Sequence, residues 1–280
     1  MVKKILITIL IVPLVFSLLL LGCKVSTSAK VSDEIQTAEE IAPQESEKTD
    51  DTNGKEESEE DQDTAEAVEE EVEEDVLPKE GEITFITEDN IELNGNIFDS
   101  GNKWIILSHM SPTDQTSWFG FAEILKEDGY SILTYDFRGY GKSKGPKDVS
   151  KLDIDLTAAL AYVKQFDPEL IYLMGASMGG TASLFVAANE RIDGVISLSS
   201  PVEWEGISAI SVIGDIVAPK LFMASQGDGD AASSATEMYE KSMEPKQLEI
   251  LDGDSHGTFI FEEEPENAEK LKEIVLFFLY

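Results

Sequence analysis

The stretch Leu170-Ile171-Tyr172-Leu173-Met174-Gly175-Ala176-Ser177-Met178-Gly179-Gly180 constrains the fold of this chain more than any other. An apolar run of strand length ends in a serine with glycine two residues before it and two after it. Small and apolar residues at helical spacing follow at once. The pattern predicts a strand that turns sharply into a helix with Ser177 at the crest of the turn. A backbone held in so tight a turn has room only for small neighbours, so Gly175 and Gly179 fall where a side chain would collide. The first amides of the following helix point at the same place and favour negative charge next to the serine oxygen.

Around that stretch, strand-like and helix-like patterns alternate from Gly81 onward, without an internal repeat. Strands are expected at Glu82–Thr87, Ile91–Phe98, Trp104–Ser108, Tyr130–Tyr135, Gly194–Leu198, Lys220–Ala224 and Gln247–Leu251. Helices are expected near Trp118–Asp128, over Ser150–Phe166, from the elbow to Asn189, near Ala231–Ser242 and from about Pro265. In the second of these, Leu152, Leu156, Ala159, Leu160 and Val163 share one face. Continuous apolar strands separated by helices imply a mainly parallel sheet covered on both faces, with its site at the carboxyl ends of the strands.

A serine hydroxyl is a poor nucleophile at neutral pH. It needs a base to take its proton and a third group to orient that base. The chain has only two histidines, His109 and His256. His256 lies in Asp252-Gly253-Asp254-Ser255-His256-Gly257, between the last strand and the last helix, where an imidazole reaches over the sheet, and it is the expected base. An acid is expected from the loop after Lys220–Ala224, where both Asp228 and Asp230 stand. The resulting order is Ser, Asp, His.

With these residues the sequence resembles the α/β-hydrolase superfamily over nearly all of Gly81 to Tyr280. The resemblance implies a mostly parallel eight-stranded sheet with helices on both faces. The family's G-x-x-D turn aligns with Gly227 to Asp230 and selects Asp230 as the acid, ahead of Asp228 and then Glu203. Asp136-Phe137-Arg138-Gly139-Tyr140-Gly141-Lys142-Ser143 is similar to the family's D-x-R-G-x-G-x-S loop and is read as structural, with Asp136 capping local amides and Arg138 pairing nearby. The oxyanion donors implied are the backbone amides of Met178 and Ser111. In Ser108-His109-Met110-Ser111, Met110 replaces the family's usual glycine, and His109 is expected to order the loop rather than to catalyse. Trp118, Phe119 and Trp204 are candidates for lining the cleft. Only Ser199 to Pro219 separate two of the central strands, too little for a large lid domain.

The resemblance implies a serine hydrolase of carboxylic esters or related acyl compounds, including short acyl esters and dienelactone-type lactones, that requires neither a metal nor an organic cofactor. The alternative is a lipoprotein that binds a ligand or partner on a hydrolase scaffold without chemistry, the reading that Met110 favours.

Residues 1–22 have the shape of a signal peptide. Lys3 and Lys4 precede an apolar run from Ile5 to Leu21, and Leu20-Leu21-Gly22-Cys23 resembles the lipobox of bacterial lipoproteins. Cys23, the only cysteine, is thus expected to carry the lipid and hold the chain on the extracytoplasmic side of a membrane. Residues 24–80 contain 22 acidic residues against 5 lysines and no aromatic residue. Such a segment cannot bury enough apolar surface to offset its ordering entropy, so residues 23–80 are expected to form an extended acidic tether ahead of a domain at 81–280. The net charge of −35 repels phosphate backbones and argues against nucleic acid as a partner.

Overall fold

A computed structural model describes residues 79–280. The leader at 1–22, the lipidation candidate Cys23 and the acidic segment up to residue 78 lie outside the described residues.

Eight strands form one sheet: β1 (Gly81–Ile86), β2 (Glu92–Phe98), β3 (Lys103–Ser108), β4 (Ser131–Tyr135), β5 (Leu170–Ala176), β6 (Gly194–Leu198), β9 (Lys220–Ser225) and β10 (Lys246–Leu251). Their spatial order is β1-β2-β4-β3-β5-β6-β9-β10. β1 and β2 pair antiparallel, and so do β2 and β4. All pairings from β4 to β10 are parallel, so β2 alone runs against the rest. β4 and β6 are buried at every residue, as strands covered on both faces must be.

Helices cover both faces. On one side α2 (Leu152–Lys164), α3 (Met178–Ala187) and α5 (Ala231–Lys241) bury Leu156, Leu160, Met178, Ala182, Ala235 and Met238 against the sheet. On the other, α1 (Phe119–Glu127) and α7 (Pro265–Leu279) contribute Phe121, Leu125, Leu271 and Val275 to a second apolar layer. The expected mostly parallel, doubly covered sheet is the one observed.

Three short elements have no strong sequence period and were not expected. β7 (Glu203–Trp204) and β8 (Ile207–Ser208) form a small hairpin, α4 (Ala209–Val212) follows it, and α6 (Ile260–Glu263) precedes α7. The hairpin and α4 occupy the connection from β6 to β9, which carries no lid domain. The helix expected from Trp118 begins as a 3-10 turn at Gln115–Trp118, where the Asp114 carboxylate caps the amide of Thr116. Among the described residues, no helix is long and apolar enough to cross a membrane.

The D-x-R-G-x-G-x-S loop after β4 is a structural knot. The Asp136 carboxylate accepts the amides of Gln115 and Lys142. Arg138 bridges Asp155 of α2 at 2.7 Å and Asp89 at 2.7 Å. The turn of the β1–β2 edge hairpin is thereby tied to the helix layer.

Candidate active site

β5 delivers Ser177 at its carboxyl end, and α3 starts at the next residue. Ser177 has φ 50° and ψ −120°, a strained backbone state for a non-glycine residue. Two close approaches explain the flanking glycines. A Cβ on Gly175 would meet the backbone of Gly179, and a Cβ on Gly179 would meet the carbonyls of Ser108 and His109. The elbow is therefore pressed directly onto the backbone that leaves β3. As the first residue of α3, Met178 has an N–H without an intrahelical acceptor, at the positive end of the helix next to the serine.

The segment after β3 is fixed by His109, which is fully buried. Its Nε2 accepts the amide of Phe137 at 3.1 Å, so the proton sits on Nδ1, which donates to the Met110 carbonyl at 2.9 Å. Burial holds this imidazole below its ordinary pKa, in the neutral state the tautomer requires. His109 thus organises the loop that presents Ser111. Met110 does not enter the cleft: its side chain is buried in the apolar layer, with its sulfur against Gly257.

The loops after β9 and β10 supply the rest. Gln226 donates to the Leu251 carbonyl and Gly227 to the Gly253 carbonyl, each at 2.8 Å, so the two loops pair backbone to backbone. This brings Asp228 to His256, with Nδ1 2.9 Å from Oδ1 and 3.0 Å from Oδ2. The Asp228 side chain is 11% exposed and that of His256 is 36% exposed, an acid nearly covered beside an imidazole open to the cleft.

Asp228, not Asp230, is therefore the acid that meets the imidazole. The turn is tighter than the G-x-x-D alignment assumes: Gly229 takes a positive φ of 46°, and Ala231 already donates to the Asp228 carbonyl. Asp230 becomes the cap residue of α5, its carbonyl accepting from Ser234, and it lines the cleft two residues beyond the histidine's partner. Glu203 stands exposed on β7 and is not part of the cleft lining.

Ser111, Ser177, Asp228 and His256 line one cleft of about 300 Å³ together with Ser199, Pro201, Trp204, Asp230 and Ser234. The Ser177 hydroxyl makes no hydrogen bond to His256 here; such contacts are often loose before substrate closes them. Of the three aromatic candidates, Trp204 lines the cleft. Trp118 is fully buried in the core, and Phe119 packs edge-on against Phe98.

Sequence reasoning missed the residues that hold the histidine loop. Ser199, at the end of β6 with φ 54°, accepts the Gly257 amide at 3.0 Å, and Ser225 donates to the Ser255 carbonyl at 3.0 Å. Glu264 accepts the amides of Asp254 and Ser255, each at 2.9 Å. The only signal of Ser199 and Ser225 in the sequence is position, a small polar residue closing an apolar strand, and Glu264 has none. Among the described residues, no group of three or more His, Cys, Asp or Glu side chains is arranged to hold a metal ion.

A family model described as the alpha/beta hydrolase fold matches residues 103–210, from β3 through the elbow to α4. An esterase of Pyrococcus furiosus superposes with a TM-score of 0.64 at 21% identity, over 71% of this chain and 91% of that one. This is an α/β-hydrolase fold. An alpha-beta serine hydrolase homologue from Coxiella burnetii superposes with a TM-score of 0.61 at 23% identity, over 71% of this chain and 98% of that one. In sequence, the chain is 29% identical over 136 residues to a 2-hydroxy-6-oxononadienedioate/2-hydroxy-6-oxononatrienedioate hydrolase of Escherichia coli. That match covers 43% of this chain, and the chain spans about half the length of these curated relatives, 47%. The family match ends before the loops carrying Asp228 and His256, whose pairing is seen in the geometry alone.

Proposed function

We propose that this α/β-hydrolase domain is a serine hydrolase that cleaves carboxylic esters or related acyl compounds through an acyl-enzyme. What supports this reading above all is the Asp228 carboxylate 2.9 Å from Nδ1 of His256, in the cleft that Ser177 also lines. With its Nδ1 proton directed at Asp228, the imidazole presents a free Nε2 lone pair. Nε2 takes the Ser177 proton as Oγ attacks the acyl carbon. The oxygen of the tetrahedral intermediate is received by the amides of Met178 and Ser111. Collapse of the intermediate expels the leaving group with the proton from His256, and water repeats the sequence to release the acid. Asp228 stays ionised and fixes the imidazole throughout.

The dioates in the name of the Escherichia coli relatives are not carried over to this chain, because no lysine or arginine lines its cleft. The alternative of a binding protein on a hydrolase scaffold rested on Met110, whose side chain is buried away from the cleft and gives that reading no support. The test is covalent labelling by a fluorophosphonate together with turnover of short p-nitrophenyl esters. Both are expected in the native protein and both should vanish in Ser177→Ala; undiminished turnover in that variant overturns the proposal. The leader pattern further leads us to propose a lipid on Cys23, which predicts partition of the mature protein into detergent and its loss in Cys23→Ser.

A further inference from the structure

We propose that the cleft selects acyl substrates bearing a positive charge and disfavours those bearing a carboxylate, with Asp230 and Trp204 receiving the cationic group. The inference rests on the serine hydrolase reading and names its substrate class. Two carboxylates line the cleft, and only one is engaged. Asp228 is held by His256, whereas the exposed Asp230 makes no side-chain capping bond on α5 and takes part in no ion pair among the described residues. The same lining contains Trp204, its only indole and the only Trp, Tyr or Phe there. A carboxylate and an indole in one small cleft are the two groups that bind an ammonium ion best, by charge and by the ring quadrupole.

The surrounding chain deepens the same field. From Ile192 to Glu240 the only basic residue is Lys220. It is buried at the opposite end of β9, with its ammonium on the carbonyls of Ile216 and Ala218. From Gln247 to Glu269 there is no lysine or arginine, while Glu262, Glu263 and Glu264 follow the histidine loop. Lys147, on the loop after β4, lies over the Tyr140 ring at 3.7 Å and is not part of the lining. An anionic substrate would therefore bring its charge to Asp230 without a compensating cation, and a cationic one would be drawn in by the summed field of the loops. The cleft volume of about 300 Å³ suits a small molecule.

Three thioesters of matched size test this: acetylthiocholine, its uncharged isostere 3,3-dimethylbutyl thioacetate, and the anionic 3-acetylthiopropionate, each followed by thiol release. At low ionic strength kcat/KM for the cationic ester should exceed that for the anionic one by about tenfold or more, and the gap should close towards about 0.5 M salt. Asp230→Asn should lower the cationic-to-neutral ratio by about twofold to fivefold, and Asp230→Lys should push it further in the same direction. An anionic ester cleaved as fast as the cationic one, or a ratio unmoved by Asp230→Lys, overturns the proposal. Fluorophosphonate labelling of Ser177 is read in parallel. A labelled protein without charge preference overturns the selectivity alone, whereas an unlabelled protein silent on all three esters overturns the hydrolase reading with it.

Discussion

The sulfur of Met110 lies 2.6 Å from the point where a Cβ on Gly257 would stand. The residue after β3 that departs from the family pattern is thus the floor beneath the loop that carries His256. Gly257 also has φ 55°, so Gly257→Ala meets both a strained backbone and a collision. We expect it to lower kcat by about 5- to 150-fold, the range that 1–3 kcal/mol of strain carried into the reacting geometry corresponds to. Met110→Ala removes buried atoms instead and should cost about 2–5 kcal/mol of stability, read as a lower Tm. Met110→Ala with an unchanged Tm would place the side chain outside the core.

The two aspartates of the β9 loop separate cleanly by mutation. Asp228→Asn should lower kcat by about 10⁴-fold, because an amide opposite Nδ1 favours the wrong imidazole tautomer. Asp230→Asn should cost less than about tenfold on the same ester, the scale of an exposed charge rather than of a proton-transfer partner. Equal losses in the two variants, measured by steady-state kinetics on one neutral ester, would refute the assignment.

Ser199 provides the hydroxyl that receives the Gly257 amide. Ser199→Ala leaves that buried N–H without an acceptor, at a cost of about 1–3 kcal/mol. The loss should fall on kcat, by about tenfold, with KM for a small neutral ester little changed. A change confined to KM would assign the hydroxyl to substrate contact instead.

Acid should destabilise the domain in two stages. Burial depresses the His109 pKa below 6.5, so the unfolded chain binds a proton that the folded one excludes. This contribution is fully present above about pH 6.5 and declines as the pH falls. The Asp254 amide, then Asn267 and the Ser255 amide, hold the Glu264 carboxyl down at about 2. Its contribution is present above 4.5 and is lost as the pH falls toward 2. Tm should therefore drop between about pH 7 and 5, and His109→Gln should flatten that slope while lowering Tm throughout. A flat Tm in the native protein over this range would contradict the buried neutral imidazole.

Arg138 joins Asp155, which is fully buried, to Asp89. Removing the arginine leaves a buried carboxylate unpaired, so Arg138→Met should destabilise by about 3–5 kcal/mol in urea denaturation. Restoring stability by the second change Asp155→Leu would confirm that the loss comes from the stranded charge.

The alternation of apolar strands and amphipathic helices made the sheet legible in the sequence, because a strand buried on both faces has to be continuously apolar. Ser177 was legible for a similar reason: Gly175 and Gly179 are required by backbone contacts local to the elbow. His256 followed from there being only two histidines. Asp228 was not separable from Asp230 by pattern, since the choice depends on where α5 begins, and that depends on the positive φ of Gly229 and on the pairing of Gly227 with Gly253. Met110 was misleading for the same kind of reason. Its direction is set by Gly257, well over a hundred residues later, and a motif read within four residues carries no information about that. The short β7–β8 hairpin and α4 went unseen because two- to four-residue elements have no period to read.

The close approach of Gly179 to the carbonyls of Ser108 and His109 has a consequence for how activity is lost. The half of the cleft that carries Ser177 is packed main chain against main chain at the end of the sheet. The half that carries Asp228 and His256 is joined by the backbone bonds of Gln226 and Gly227 and steadied by side-chain bonds from Ser199, Ser225 and Glu264. We therefore expect gentle heating to loosen this second half first, so that ester turnover falls below the Tm and returns on cooling.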